Sequence, residues 1–453
     1  MLLLSLFLPR SASGGESRVW GRVYDPDSVT NPRPVLVAIP WVHVAIEHPG
    51  EGGASFWAIS DAAGFFPAAS PQEILRLDLG EKDLAEGSRA WILNGAPVVR
   101  IRGESDAFFT YPPASHAFNQ VNAFYHTNAL LRFIDGLLPE AYTFDRLVRL
   151  RVGLGTQSHC GYDRLRERGD CVIGIGAGRL TDVIAHEAFH AIQGHIAATA
   201  PDHPSLTGIT VFTTEGLADY FTAAYTGDGV IFNENCEERI EDPWYCRHLE
   251  NDRTLSTYNR AEPHLLSTIL SGALYTLRLR HTEAKVNPID RIVLYALLHH
   301  RPEGKNAWSD LDDFRETLLS GAATLYPADP GLAQEIDEEF SRRDIHPYAE
   351  PVVFAKGGGS QGCLDLDPWD TAARPVVLGP WNKRGLRTTQ CRIDWFEGER
   401  RIHTDRVLPF GYATHRFDTP GEKGVEITCI DVTGHRASST RVTFEMPHPL
   451  GCP

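Results

Sequence analysis

The sequence predicts a multidomain chain in which a central α+β domain is flanked by N- and C-terminal β-sandwich domains. Three observations predict it. At 453 residues the chain exceeds what one domain ordinarily holds. Its texture is β-like to about residue 101, helical in the middle, and β-like again from about residue 351. Its composition, 42% hydrophobic and 23% charged, is that of a globular protein with a sizeable core. The resulting division is 1–17, 18–105, 106–348 and 349–453.

Residues 1–17 read as a signal-like segment. Met1 to Leu8 is almost wholly apolar and small residues follow from Ser11 to Gly15, although no basic stretch precedes them. This leader implies a secreted, extracellular or periplasmic protein. No later apolar run approaches the roughly 20 residues that span a bilayer. The next segment carries the strand-like runs "RVWGRVYD", "VLVAIPWVHVAIEH" and "SFWAISDAAGFF", rich in Val, Ile, Phe and Trp. Asp61-Ala62-Ala63-Gly64-Phe65 is a turn signal between two of them.

Helical spacing starts near Asn119, with Val121, Phe124, Leu131, Ile134 and Leu138 in phase. Leu147 to Gly153 reads as a strand, and "CGYDRLRERGDCVIGIG" as two extended pieces around a charged loop. A helix follows from about Thr181. Further helices are expected near 214–226, 263–281, 288–299 and 309–321. Thr213 or Thr214 caps the first of these, Gly227 ends it, and Pro263 sits in the first turn of the second. After Pro351, "RPVVLG", "QCRIDWFEG" and "VEITCIDVTG" alternate as strands, and "KGGGSQG" is a turn or linker.

The cysteines number eight and none forms a Cys-x-x-Cys unit, which favours disulfides in an oxidising compartment over a zinc–thiolate site. The spacing pairs Cys160 with Cys171, Cys236 with Cys246 and Cys391 with Cys429, leaving Cys363 with Cys452; sequence alone does not fix this connectivity. The net charge of −16, with no Lys- or Arg-rich run, argues against nucleic acid or an anionic membrane as the main partner.

The chemistry concentrates in "DVIAHEAFHAIQGH". His186 and His190 are i and i+4, so on a helix their imidazoles leave one face. Zinc takes neutral imidazole nitrogens in a tetrahedral set. Glu187 lies one residue round the helix, placed to accept a proton rather than to ligate. The flanking residues are apolar, so the helix is buried, and buried polar groups need partners, which a metal supplies. A core helix with satisfied histidines is the competing reading. His195 is no third ligand, since at about 100° per residue it points well away from His190. The better candidate is Glu215 in "TTEGLADYFTAAYTGDG", with Asp219 four residues on and on the same face. A ligating carboxylate and a second one bracing a ligating histidine complete a His₂Glu site.

These residues resemble the gluzincin metallopeptidases, the thermolysin and fungalysin group: HExxH is followed by ExxxD on a second helix, and "EGLADYF" and "NAFYHTN" are similar to segments of those enzymes. The resemblance covers about 110 to 300 and implies a gluzincin, thermolysin-like catalytic domain. It implies one Zn²⁺ held by His186, His190 and Glu215, Glu187 as general base, and Asp219 hydrogen-bonded to a ligating histidine. "EPHLLSTILSGALYTL" resembles the family's His-x-Asn-Ser-Gly helix, with His264 and Ser267 in register, so His264 is expected to stabilise the oxyanion. Leu266 and Thr268 depart from that pattern. The assisting tyrosine falls to Tyr245 or Tyr258. By position, the "HCGYD…CVIGIG" hairpin matches the edge strand that pairs with extended substrate. Outside this region, 18–105 resembles the transthyretin-like or carboxypeptidase-regulatory sandwich. The 38-residue separation of Cys391 and Cys429 resembles an immunoglobulin-like domain, a pattern from which Trp395 and Ile427 depart.

The expected function is a secreted zinc endopeptidase in which Glu187 takes the proton of a metal-activated water and passes it to the leaving amine. The substrate is a peptide or protein, and the β domains are offered to a substrate, cell-surface or matrix component. Calcium is left open as a further ion, though no motif indicates it. The alternatives are an inactive binding or adhesion protein on the same scaffold and a zinc hydrolase of a non-peptide amide or ester.

Overall fold

The structure, a computed structural model, describes residues 16–25, 31–47, 54–67, 74–79, 90–93, 95–102, 105–144, 148–163, 165–199, 211–232, 246–254, 264, 267–300, 307–343, 345, 352–355, 372–373, 375–378, 388–407, 415–416, 421–431, 436–438 and 441–446. The fold is mixed α+β with several small sheets. The chain divides into two compact units, Met1–His195 and Ile196–Pro453. The leader at 1–15, Tyr245, Tyr258, Pro263, Leu266, the "KGGGSQG" segment, Cys236, Cys363 and Cys452 lie outside the described residues.

The first unit opens with β1 (Glu16–Val23), β2 (Val35–Ala38), β3 (His43–Glu47), β4 (Ala54–Ile59), β5 (Phe65–Pro67), β6 (Ile74–Asp78), β7 (Ala90–Ile92), β8 (Val98–Arg102) and β9 (Ala107–Phe109). β1 pairs with β2, β5 and β9, while β4-β3-β6-β8 form a separate antiparallel sheet. Leu75 and Leu77 of β6, two apart and so on one face, are fully buried. The expected turn at 61–65 is present. The Asp61 carboxylate accepts the backbone N–H groups of Ala63 and Phe65 at 2.8 and 2.9 Å. Gly64 has φ 79°, the left-handed region that glycine enters without strain.

α1 (His116–Leu137) starts at Ser115, whose hydroxyl accepts the Phe118 N–H. Its apolar stripe is buried as the spacing predicts, and its buried polar residues tie the unit together. Asn122 accepts the Tyr24 N–H at 2.9 Å and donates to the Gly178 carbonyl at 3.1 Å. The sheet that follows has the order β11-β12-β10-β7, built from β10 (Val148–Val152), β11 (His159–Asp163) and β12 (Arg168–Ile173). β10 runs parallel to β7 and β12, and β11 is the antiparallel edge. This sheet therefore draws β7 from the segment before residue 105. Cys160 and Cys171 face each other across β11 and β12 and are joined by a disulfide, as their spacing suggests. α2 (Thr181–Thr199) begins at the residue the sequence marks. The division between the units falls inside this helix, after His195.

The second unit contains α3 (Val211–Thr226), β13 (Val230–Ile231), β14 (Arg247–His248), α4 (Thr268–Leu279), α5 (Pro288–His299), α6 (Ala307–Leu325) and α7 (Pro330–Arg342). α3 starts upstream of its expected cap, so Thr213 and Thr214 lie within the helix and Glu215 falls in its second turn. Gly227 ends it with φ 79° and donates to the Ala223 carbonyl. α5 has Asn287 as its cap, accepting the Ile289 N–H, and Pro288 in the first position. Further on come β15 (Val352–Ala355), β16 (Ala372–Ala373), β17 (Pro375–Leu378), β18 (Thr388–Glu397), β19 (Arg400–Val407), β20 (His415–Arg416), β21 (Gly421–Asp431), β22 (Arg436–Ser438) and β23 (Val442–Met446). The main sheet here runs β19-β18-β21-β22, with β23 also on β21. Trp395 is fully buried and donates its indole N–H to Asp405 at 2.8 Å. The register sets Cys391 opposite Cys429 on neighbouring strands of one sheet, whereas an immunoglobulin cystine joins two sheets. Cys246 is disulfide-bonded; the expected partner Cys236 is outside the described residues. Among the described residues no helix is long and apolar enough to cross a membrane.

Candidate metal centre

α2 is held at both ends of its first half. At its start, Thr181 lies 3.2 Å from His126 Nε2, which is itself 2.6 Å from the Tyr24 carbonyl. Along its length Ile184, Ala185, Ala188, Phe189, Ala191 and Ile192 are buried. Gly169 of β12 faces Ala191 so closely that a side chain there would collide with it. A buried histidine of α1 and a glycine of β12 thus fix where the His186–His190 face points.

On that face the imidazoles stand perpendicular, with ring centroids 4.8 Å apart and their Nε2 atoms 3.2 Å apart. The outer nitrogen of His190, Nδ1, donates to the side-chain oxygen of Gln193 at 2.9 Å, which leaves its Nε2 with the lone pair. Two ring nitrogens converging at this distance call for a proton or a cation between them. A tetrahedral zinc with Zn–N bonds of about 2.05 Å sets its nitrogens about 3.3 Å apart, so the pair fits that ion. Glu187, the next residue round the helix, is half-buried. His195 faces elsewhere, as the helical angle predicts: Nδ1 is 3.1 Å from the Tyr162 hydroxyl, and the ring packs against Tyr142, Phe144 and Tyr162.

On α3, Glu215 and Asp219 share one face, with Asp219 fully buried. Gly216 lets α3 come close to the start of α4. A Cβ there would lie 3.1 Å from both Leu270 and the Ser267 carbonyl. His264, whose carbonyl accepts the Ser267 hydroxyl at 2.7 Å, has its Nε2 3.5 Å from Glu215 Oε2. The cation facing the two carboxylates is one the sequence reading missed. Arg247 of β14 lies 3.6 Å from Glu215 and 3.2 Å from Asp219. Within the second unit, then, the Glu215 Oε2 atom lies between Arg247 and His264. Behind this face Tyr220 donates to Asp290 at 2.6 Å, and Arg278 donates to the same oxygen at 3.1 Å. Burial pushes the Asp290 carboxyl up, against the opposing pull of Arg278 and Tyr220, and burial with the Asp290 charge pushes the Tyr220 phenol well above its ordinary value.

No protein-family model matches the chain, and no curated protein does. Among solved structures the chain is similar to the M60 catalytic domain of Clostridium perfringens ZmpC in complex with the sialyl T antigen. The identity is 10% and the TM-score 0.25, over 96% of this chain and 94% of that one. It is similar also to the ZmpB metallopeptidase from Clostridium perfringens, at 11% identity and TM-score 0.25 over 95% and 94%. A likeness this remote assigns no role to any residue.

Proposed function

We propose that the protein is a secreted zinc-dependent endopeptidase whose metal is held by His186, His190 and Glu215. The observation that carries this reading is the convergence of the two Nε2 atoms at 3.2 Å on one face of α2. When bound, zinc supplies Lewis-acid chemistry, polarising a carbonyl and making water more acidic. The remaining work belongs to side chains. Glu187 takes the proton of the attacking water and returns it to the departing amine, so one carboxylate serves as base and then acid. His264 donates towards the charge that develops on the scissile carbonyl oxygen, a contribution of a few kcal/mol for a well-placed donor. Asp219 and Gln193 orient the ligating side chains. The peptide lies along β11, the exposed edge of its sheet, where extended chains find unpaired backbone groups.

The test is cleavage of casein or a quenched peptide by zinc-quantified protein, with and without 1,10-phenanthroline, beside Glu187→Gln. Chelator-sensitive cleavage that the variant lacks, while keeping its zinc, is the expected result. Undiminished turnover in metal-replete Glu187→Gln would remove the assigned base. Bound zinc without cleavage of any peptide would favour a binding protein or a non-peptide hydrolase.

A further inference from the structure

Arg247 belongs to none of the motifs that suggest a metal, yet its side chain is 1% exposed and faces two carboxylates. We propose that Arg247 is the positioning residue of the metal centre: its guanidinium holds Glu215 and Asp219 in the geometry from which Glu215 ligates. This rests on the zinc reading above.

Three observations inside the second unit carry it. First, the contacts are made by separate nitrogens of one fork, NH1 3.6 Å from Glu215 Oε2 and NH2 3.2 Å from Asp219 Oδ1. Acidic side chains at i and i+4 repel when both are ionised, most strongly where water is excluded. A planar cation spanning them removes that repulsion and fixes their separation, which the single point charge of a lysine does not do.

Second, the arginine is delivered by a segment with little freedom. Ile231 is the register partner of Arg247, and Leu249 N–H donates to the Gly229 carbonyl at 2.8 Å. The Asn251 side chain donates to the His248 and Thr268 carbonyls at 2.7 and 3.2 Å. Its Oδ1 accepts from Arg343 at 2.7 Å, and that buried arginine is anchored in turn on Glu339. Gly272 of α4 leaves room for this segment, since a Cβ there would lie 2.7 Å from Asn251 and 2.9 Å from the Leu249 carbonyl.

Third, the guanidinium is covered on one face by Phe232, 4.5 Å from the ring centroid. Phe232 adopts φ 62°, a left-handed conformation unfavourable for a bulky residue. A cation seated against two carboxylates and capped by an aromatic ring is built in place, unlike a surface ion pair.

The experiment compares wild type, Arg247→Lys and Arg247→Met. Zinc affinity is read by competition with a chromophoric chelator, and the melting temperature is taken on metal-free protein. The lysine variant keeps a buried positive charge and therefore the fold. Its zinc affinity is expected to fall about ten- to a hundredfold, the usual effect of losing a residue that orients a ligand, with that of the methionine variant falling at least as far. Unchanged zinc affinity beside a lowered melting temperature, or a lysine variant that does not fold, would make Arg247 a structural tie only. Tighter zinc binding in either variant would mean that its charge opposes the metal, and would also overturn the proposal. Wild-type protein that takes up no zinc ends the metal reading and this one with it, whereas zinc-binding wild type with an unaltered lysine variant ends only the role of Arg247.

Discussion

His190 gives its Nδ1 hydrogen to the side-chain oxygen of Gln193, 2.9 Å away and one turn further along the same helix. The bond selects one tautomer and turns the other nitrogen towards His186. Gln193→Leu keeps the bulk and removes the acceptor. Zinc affinity should then fall about tenfold or more, whereas Gln193→Glu, which keeps an acceptor, should retain it. A competition titration with a chromophoric chelator reads both; equal affinities in the three proteins would show that His190 needs no brace.

Gly194 lies where α2 presses on β11, and any side chain there would run into the Cβ of Tyr162. Gly194→Ala should destabilise the protein by about 1–3 kcal/mol, because a well-packed core has no room for an added methyl. Alanine is the better helix former by nearly 1 kcal/mol, so a rise in melting temperature would show that the packing yields.

The Tyr220–Asp290 bond is buried and its acceptor is a carboxyl group. Tyr220→Phe should cost about 1.5–3 kcal/mol at neutral pH, the range for hydrogen bonds to charged groups. Urea denaturation would measure it, and a loss below about 0.5 kcal/mol would show that the bond adds little.

Asp290 carries a pH signature opposite in sign to that of a salt-bridged surface carboxylate. Burial holds its carboxyl above the ordinary value, so the folded protein binds that proton more tightly than the unfolded chain does. Its stabilising contribution is complete below the unfolded value, about 3.9, and is lost as pH rises through the higher folded value. The stability of wild type relative to Asp290→Asn should therefore increase as pH is lowered from about 7 towards about 4. Urea midpoints for both proteins across that window decide it; a gap that moves the other way contradicts the direction of the shift.

The Cys160–Cys171 bridge closes a loop with a sequence separation of 11 between directly opposed strand residues. Replacing both cysteines with serine should cost about 3 kcal/mol on the loop-entropy scale. The loss should be felt first at β11, which is paired on one side only. Faster amide hydrogen exchange across 159–163, with the α2 amides unchanged, is the expected pattern; uniform acceleration would mean that the bridge supports the whole unit.

Much of this was legible in the sequence, for physical reasons that differ by element. α5 announces itself through Asn287 and Pro288, a cap and a pre-set first turn. The β11–β12 hairpin was marked by its cysteines, and α2 by a full turn-by-turn apolar pattern. The start of α3 was misplaced because Thr213 and Thr214 are good caps in isolation, and the helix starts three residues further upstream, at Val211. α7 was not read at all, since only Leu332, Ile336 and Phe340 carry its buried stripe through a highly charged segment. The His186–His190 face was visible because i and i+4 spacing is enforced by the helix itself. Arg247 was not, because a single arginine in a short strand has no period, and its partners lie some 30 residues away in sequence. Nor was Gln193, because one amide side chain a turn beyond a histidine carries no pattern of its own.

The run Gln193-Gly194-His195 does three different things in three consecutive residues. The first steers an imidazole, the second admits a neighbouring tyrosine, and the third fills an aromatic pocket with its ring. Each function leaves little choice of side chain. The spacing H-E-x-x-H-x-x-Q-G-H is therefore a stricter fingerprint than the five-residue core alone. A distant chain that carries it, with a tyrosine in the hairpin upstream, could be recognised as kin even after overall identity has drifted beyond detection.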